Sequence, residues 1–178
     1  MRKGSNGSRP MHLVTLGMGS NVGPRESFIK GAIEEVERAS EGVLARCSSL
    51  YETEPIGKKD QEWFLNCVVQ IETPQDVDAF FSRVRGIEAR FGRKRLERWG
   101  PRNIDIDILF FDNVVIWRPD LQIPHPGIAH RRFVLEPLCE IAPHLVHPVF
   151  GVEVRTLLEG LSDTSTVIRL SPIFSTRP

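Results

Sequence analysis

Apolar positions along this chain follow two rhythms, one tight and one spaced by three and four. His12-Leu-Val-Thr-Leu-Gly-Met18 is a short apolar run, and Gly19-Ser-Asn-Val-Gly-Pro24 after it is rich in turn formers. Phe28, Ile29, Ala32, Ile33, Val36 and Ala39 then recur at helical intervals. This predicts strand, loop and helix in that order. Val43 to Tyr51 and Leu65 to Ile71 predict further strands, separated by a polar loop that holds Pro55, Gly57, Lys58 and Lys59. Thr73-Pro74-Gln75-Asp76 reads as a helix start, with Thr73 as the cap and Pro74 at the first helical position. Val77, Phe80, Val84, Ile87 and Phe91 continue one apolar face, and Gly92 stops it. Ile104 to Phe111 is the strongest strand, Asp112-Asn113 a turn, and Val114 to Ile116 its expected hairpin partner. A helical segment is expected around Val134 to Ile141, and the tail after Phe150 carries little pattern.

The order β-α-β-β-α-β predicts an α+β fold with a ferredoxin-like core and a mainly antiparallel sheet. Segments after Asp112 covering the second face would make it a three-layer α/β/α arrangement. At 178 residues the chain suits one domain, expected over residues 11–178. Residues 1–10, rich in Gly, Ser and Arg, are expected to be a disordered leader or expression remnant.

Composition narrows the picture modestly. Apolar and charged fractions of 40% and 26% exclude a fibrous or wholly disordered chain. No apolar run approaches the roughly 20 residues of a membrane helix, so a cytoplasmic protein is expected. Cys47, Cys67 and Cys139 are scattered without ligand spacing, which argues against a zinc site. Net charge is zero, yet Arg83 to Arg102 holds eight Arg/Lys against two Glu, which points to a local anion site.

Chemistry concentrates just after that basic stretch. In Asn103-Ile-Asp-Ile-Asp-Ile108 strand alternation sends the isoleucines inward and sets Asp105 and Asp107 on one face. Two like charges there call for solvent or a cation, and oxygen ligands favour magnesium shared with phosphates. Taken alone, the pair also fits a wet polar strand face. Likewise the arginines from Arg93 to Arg102 fit either a solvated loop or forks that grip a polyphosphate. Trp99 in that loop is either a lid or an anchor, and Gly92 and Gly100 would let it move. Gly17-Met-Gly19 lacks the dinucleotide spacing, and the chain has no Gly-Lys-Ser/Thr phosphate loop. RNA binding through a ferredoxin-like sheet is the competing reading, against which bare carboxylates beside a phosphate backbone argue.

The residues together resemble the 6-hydroxymethyl-7,8-dihydropterin pyrophosphokinases of folate biosynthesis. The resemblance runs from about His12 to Pro148. It rests on Gly19-Ser-Asn21, Tyr51-x-Thr53-x-Pro55-x-Gly57, Phe64-Leu-Asn66, Gly92-Arg93-x-Arg95, Arg98-Trp-Gly-Pro-Arg102-x-x-Asp105-x-Asp107-Ile108, Pro124-His125 and Arg131-x-Phe133. It implies magnesium-dependent transfer of pyrophosphate from ATP to the pterin hydroxymethyl group, with release of AMP. It further implies two magnesium ions on Asp105 and Asp107, and catalytic roles for Arg93 and Arg102 beside those acids. Arg95, Trp99, Glu88, Ile108, His125 and Arg131 fall at the family's ATP-binding positions. Gly19, Thr53, Pro55, Phe64, Asn66 and Phe133 fall at its pterin pocket, with the ring held between the two phenylalanines. A monomer acting on small molecules, without nucleic acid or membrane partners, is the corresponding expectation.

Overall fold

A computed structural model describes residues 9–57, 59–92 and 101–174. The chain runs through β1 (His12–Ser20), α1 (Arg25–Ala39), β2 (Val43–Cys47), β3 (Ser49–Thr53) and β4 (Phe64–Thr73). It continues with α2 (Val77–Arg90), β5 (Asp105–Phe111), β6 (Ile116–Trp117), β7 (Gln122–Ile123), a short turn of helix at Ile128–His130, α3 (Arg132–Ile141), α4 (Val154–Glu159) and β8 (Val167–Pro172). The main sheet has the order β5-β1-β4-β3-β8, with β2 also on β4, and every pairing is antiparallel. Its strands β1, β3, β4 and β5, taken with α1 and α2, give the expected ferredoxin-like core.

Alternation along the strands builds two cores. Val14, Leu16 and Met18 of β1, and Cys67, Val69 and Ile71 of β4, pack against Ile29, Ile33 and Val36 of α1 and Phe80, Val84 and Ile87 of α2. On the opposite face Val68, Leu109 and Phe110 meet Val134, Leu135 and Leu138 of α3 and Val154 of α4, so the molecule has three layers. Leu135 and Leu138 are fully buried, each contributing about 1.5–3 kcal/mol relative to exposure. One bulge lets β5 serve both cores. Thr15 faces Phe110 but Leu16 faces Ile108, so Leu109 is the extra residue. Leu109 and Phe110 therefore both point to α3, while Phe111 returns to the α1/α2 side.

Three local expectations are corrected. Helix α2 is capped by Asp76, whose side chain accepts from Ala79 N at 2.9 Å. Thr73 instead ends β4, and its hydroxyl donates to Ser40 O at 2.7 Å. The strand from Val43 to Tyr51 breaks at Ser48, whose Oγ accepts from Val68 N at 2.9 Å in place of a ladder bond. Ile116 and Trp117 pair with Gln122 and Ile123, not with β5. The tail supplies β8, the edge strand beside β3. Among the described residues no helix is long and apolar enough to cross a membrane.

Candidate active site

The sheet face under α3 carries the polar residues singled out in the sequence, and register explains why they meet. Gly19 lies opposite Asp105 on one side and Asn66 on the other, and Gly17 opposite Asp107 and Val68. Two glycines thus floor a trough between the acid pair and Asn66. A side chain at Gly19 would collide with Asn66 Oδ1, whereas one at Gly17 would meet Leu109 at an ordinary 3.5 Å. Asn66 is buried and donates to Thr53 Oγ1 at 2.7 Å, which turns its carbonyl oxygen toward the trough.

Asp105 and Asp107 share this face as strand alternation requires, and Arg102 Nη1 reaches Asp105 Oδ2 at 2.5 Å. Arg102 is held by buried Asn21, whose Oδ1 accepts from Arg102 N at 2.8 Å while Asn21 N donates to Arg102 O at 3.2 Å. The Asn21 amide also donates to Gln61 Oε1 at 3.1 Å and Glu62 O at 3.2 Å. One side chain therefore joins the turn after β1, the loop before β4 and the segment entering β5. The motif that holds Asn21 does not reveal this task, and nothing in the sequence marks Gln61. An amide-bearing residue directly after a glycine-punctuated strand was the available signal.

His125 follows the cis Ile123–Pro124 peptide and anchors to β5 through its N–H, which donates to Leu109 O at 3.0 Å. Its Nδ1 accepts from Gly127 N at 3.0 Å, so the neutral ring carries its proton on Nε2. Nε2 stands 3.9 Å from Asp107 Oδ2. Burial first, then the charge of Arg131, pushes the imidazole down to about 4 against the opposing pull of Asp105, so it is uncharged at neutral pH. Arg131 lies over Phe133 with 5.9 Å from guanidinium carbon to ring centre, and the bare Gly127 leaves it room.

These groups bound a cavity of about 250 Å³ lined by Gly19, Thr53, Phe64, Asn66, Phe133 and Arg131, with Arg102, Asp105, Asp107 and His125 at one side. A second cleft of about 340 Å³ opens between α2 and the outer edge of β5, lined by Phe81, Arg85, Glu88, Ile108 and Gln122, and again by Asp107 and His125. Glu88, buried in its wall, accepts from Ile106 N at 3.0 Å. Asp107 and His125 thus stand where the two clefts meet. Pro55 is buried without lining either cleft. Arg93, Arg95 and Trp99 lie outside the described residues. The two carboxylates, with side chains 21% and 42% exposed above a glycine floor, fit a magnesium ion that takes few protein oxygens and shares its shell with phosphates. Among the described residues no group of three His, Cys, Asp or Glu that could hold a metal occurs.

Residues 15–143 match the family described as 7,8-dihydro-6-hydroxymethylpterin-pyrophosphokinase. The chain is 40% identical over 140 residues to the 2-amino-4-hydroxy-6-hydroxymethyldihydropteridine pyrophosphokinase of Aquifex aeolicus, covering 79% of this chain and 86% of the relative. It is 43% identical over 157 residues to the enzyme of that name from Methylorubrum extorquens, covering 87% and 96%. In fold it is similar to wild-type Plasmodium falciparum HPPK-DHPS solved with pteroate, at TM-score 0.69 and 18% identity over 87% of this chain. The chain spans 43% of the length of that solved structure.

Proposed function

This chain belongs to the 7,8-dihydro-6-hydroxymethylpterin-pyrophosphokinase family, and from that premise we propose that its two clefts hold the two substrates of pyrophosphoryl transfer. The enzyme transfers pyrophosphate to hydroxymethyldihydropterin in folate synthesis, with ATP as co-substrate. The observation that supports the spatial reading is the shared wall: Asp107 and His125 line both clefts. A donor in one and an acceptor in the other would meet at the acid pair.

In this reading the first cleft takes the pterin. Phe64 and Phe133 offer flat apolar faces to its ring, and Asn66 and Thr53 offer paired polar groups to its edge. The second cleft takes the nucleoside of ATP, between α2 and the open backbone edge of β5 at Ile108, with Glu88 in its wall. The triphosphate would then run past His125 toward Asp105 and Asp107. The pterin hydroxymethyl oxygen attacks the β-phosphorus as its proton passes to Asp107, the bond from that phosphorus to the α–β bridging oxygen breaks, and AMP leaves. Arg102 and Arg131, with Arg93 and Arg95, offset the charge that moves during transfer. Neutral His125 donates from Nε2 without adding charge. Magnesium held by Asp105 and Asp107 would supply neutralisation of the phosphate oxygens. Asn21 keeps Arg102 in place while the Gln61 loop covers the cleft from water.

The nucleotide product tests this directly. Incubated with ATP, magnesium and 6-hydroxymethyl-7,8-dihydropterin, the protein is expected to release AMP in step with pterin diphosphate. ADP as the nucleotide product would mean transfer of a single phosphoryl group and would refute the reading.

A further inference from the structure

The tail beyond α4 ties the two walls of the first cleft together. Helix α3 begins without a capping side chain of its own, since Arg131 at its N-cap makes no such bond. The missing acceptor comes from Asp163, 31 residues further on, whose Oδ2 accepts from Arg132 N at 2.8 Å. The other carboxylate oxygen accepts from Ser165 N at 2.9 Å and closes a tight turn. Thr166 then exchanges two bonds with Glu54: its N–H donates to Glu54 Oε1 at 2.7 Å, and Glu54 N donates to Thr166 O at 3.3 Å. Val167 enters β8 directly opposite Thr53. One wall of the cleft is thus the start of α3, with Arg131 and Phe133, and the other is Thr53, Glu54 and Ile56. A span of four residues, 163–166, bridges them.

We infer that Asp163 is a positioning residue that fixes the spacing of these two walls and thereby the enzyme's affinity for its pterin substrate. The inference rests on the assignment of the first cleft to the pterin. A carboxylate suits the place because two backbone N–H groups converge on it, one of them at the positive end of a helix. Alanine there removes both acceptors and leaves α3 uncapped. Asparagine keeps one acceptor oxygen but has no charge. With the bridge loosened, the walls sample wider spacings, and apparent affinity falls by the fraction that retains the closed one. A fall of that fraction to about a tenth raises KM for the pterin about tenfold. The nucleotide cleft is lined by α2, β5 and residues 119–126, which the bridge does not touch, and saturating pterin restores the closed spacing that sets Arg131, so the ATP KM is not affected.

Steady-state kinetics with each substrate varied in turn separate this role from a merely structural one. Wild type, Asp163→Ala, Asp163→Asn and a control, Glu153→Ala, are compared, with melting followed for each. Glu153 belongs to the same C-terminal region, and its side chain pairs with exposed His144 at 3.2 Å, away from the bridge. Expected are a pterin KM raised about tenfold in Asp163→Ala and about threefold in Asp163→Asn, with kcat and the ATP KM within about twofold and the control like wild type. If Asp163→Ala does not fold, the Asn variant decides on the same criterion. An unchanged pterin KM, or both KM values rising together, overturns the inference. A wild-type protein that forms no AMP from the pterin overturns the assignment of the cleft itself, a distinct result.

Discussion

Gly19 and Gly17 differ in what a single methyl group would meet, and that difference makes the trough testable atom by atom. A Cβ on Gly19 collides with Asn66 Oδ1, the oxygen that Thr53 helps to aim, so Gly19→Ala must push Asn66 out of its place. A Cβ on Gly17 makes ordinary contact with Leu109. Pterin affinity measured by titration is therefore expected to fall about tenfold or more in Gly19→Ala, the cost of losing a buried hydrogen-bonding group, and to stay within about twofold in Gly17→Ala. Equal effects would remove Asn66 from the pterin site. The two glycines mark the limit of what local sequence encodes. Their spacing ruled out a dinucleotide loop, but which neighbour each one spares was set by β1 register with β4 and β5, and no local pattern encodes that.

At the scale of elements, long periodic segments were legible and contingent ones were not. Helix α1, helix α2 and strand β5 declare themselves because each buries a regular stripe. The start of α2 is ambiguous in the sequence because Thr-Pro and Asp each offer a plausible cap. Tertiary contact decided between them, Thr73 being taken up by Ser40 O. The turn expected at Asp112-Asn113 forms, with Val114 N donating to Phe111 O at 3.0 Å, and the Asp112 carboxylate bonds Leu13 N at 2.8 Å and His12 Nδ1 at 2.7 Å. Among the described residues no strand returns from this turn along β5, and Ile116 pairs with Ile123 instead. β8 escaped notice since it buries little. It is fastened by backbone pairing to β3 and by Arg169, which reaches Glu140 at 2.6 Å, and neither signal is apolar. The acid pair was legible because alternation alone puts both carboxylates on one side. The second cleft was not, since it is framed by α2 and the segment before His125, distant in sequence.

Over the whole molecule, burial and hydrogen bonding set how stability responds to acid. His147 is buried against Phe110 and Phe150, and that burial lowers its pKa. Below about pH 6.5 the unfolded chain therefore binds a proton that the folded one resists, and stability falls as pH drops. Glu54, receiving Thr166 N and paired with Lys59, is held below the ordinary carboxylate range. Burial acts upward on Asp163, but the N–H groups of Arg132 and Ser165 outweigh it and lower its pKa too. Lowered carboxylates contribute stability above their unfolded pKa and lose it as pH falls through the folded one, which adds a second loss below about pH 4. Urea midpoints are expected to stay level from pH 8 to 7, decline from about pH 6.5, and decline further below about pH 4. A midpoint that rises on acidification would contradict this assignment.

Asp107 is the carboxylate on which both clefts border. The most direct test of its role is the rate of AMP formation by Asp107→Asn at saturating ATP, magnesium and pterin, with pterin binding measured alongside. The expected result is a rate lower by about 10²–10³-fold, with pterin affinity within about threefold of wild type. A variant that forms AMP at the wild-type rate would show that transfer does not take place at the junction of the two clefts.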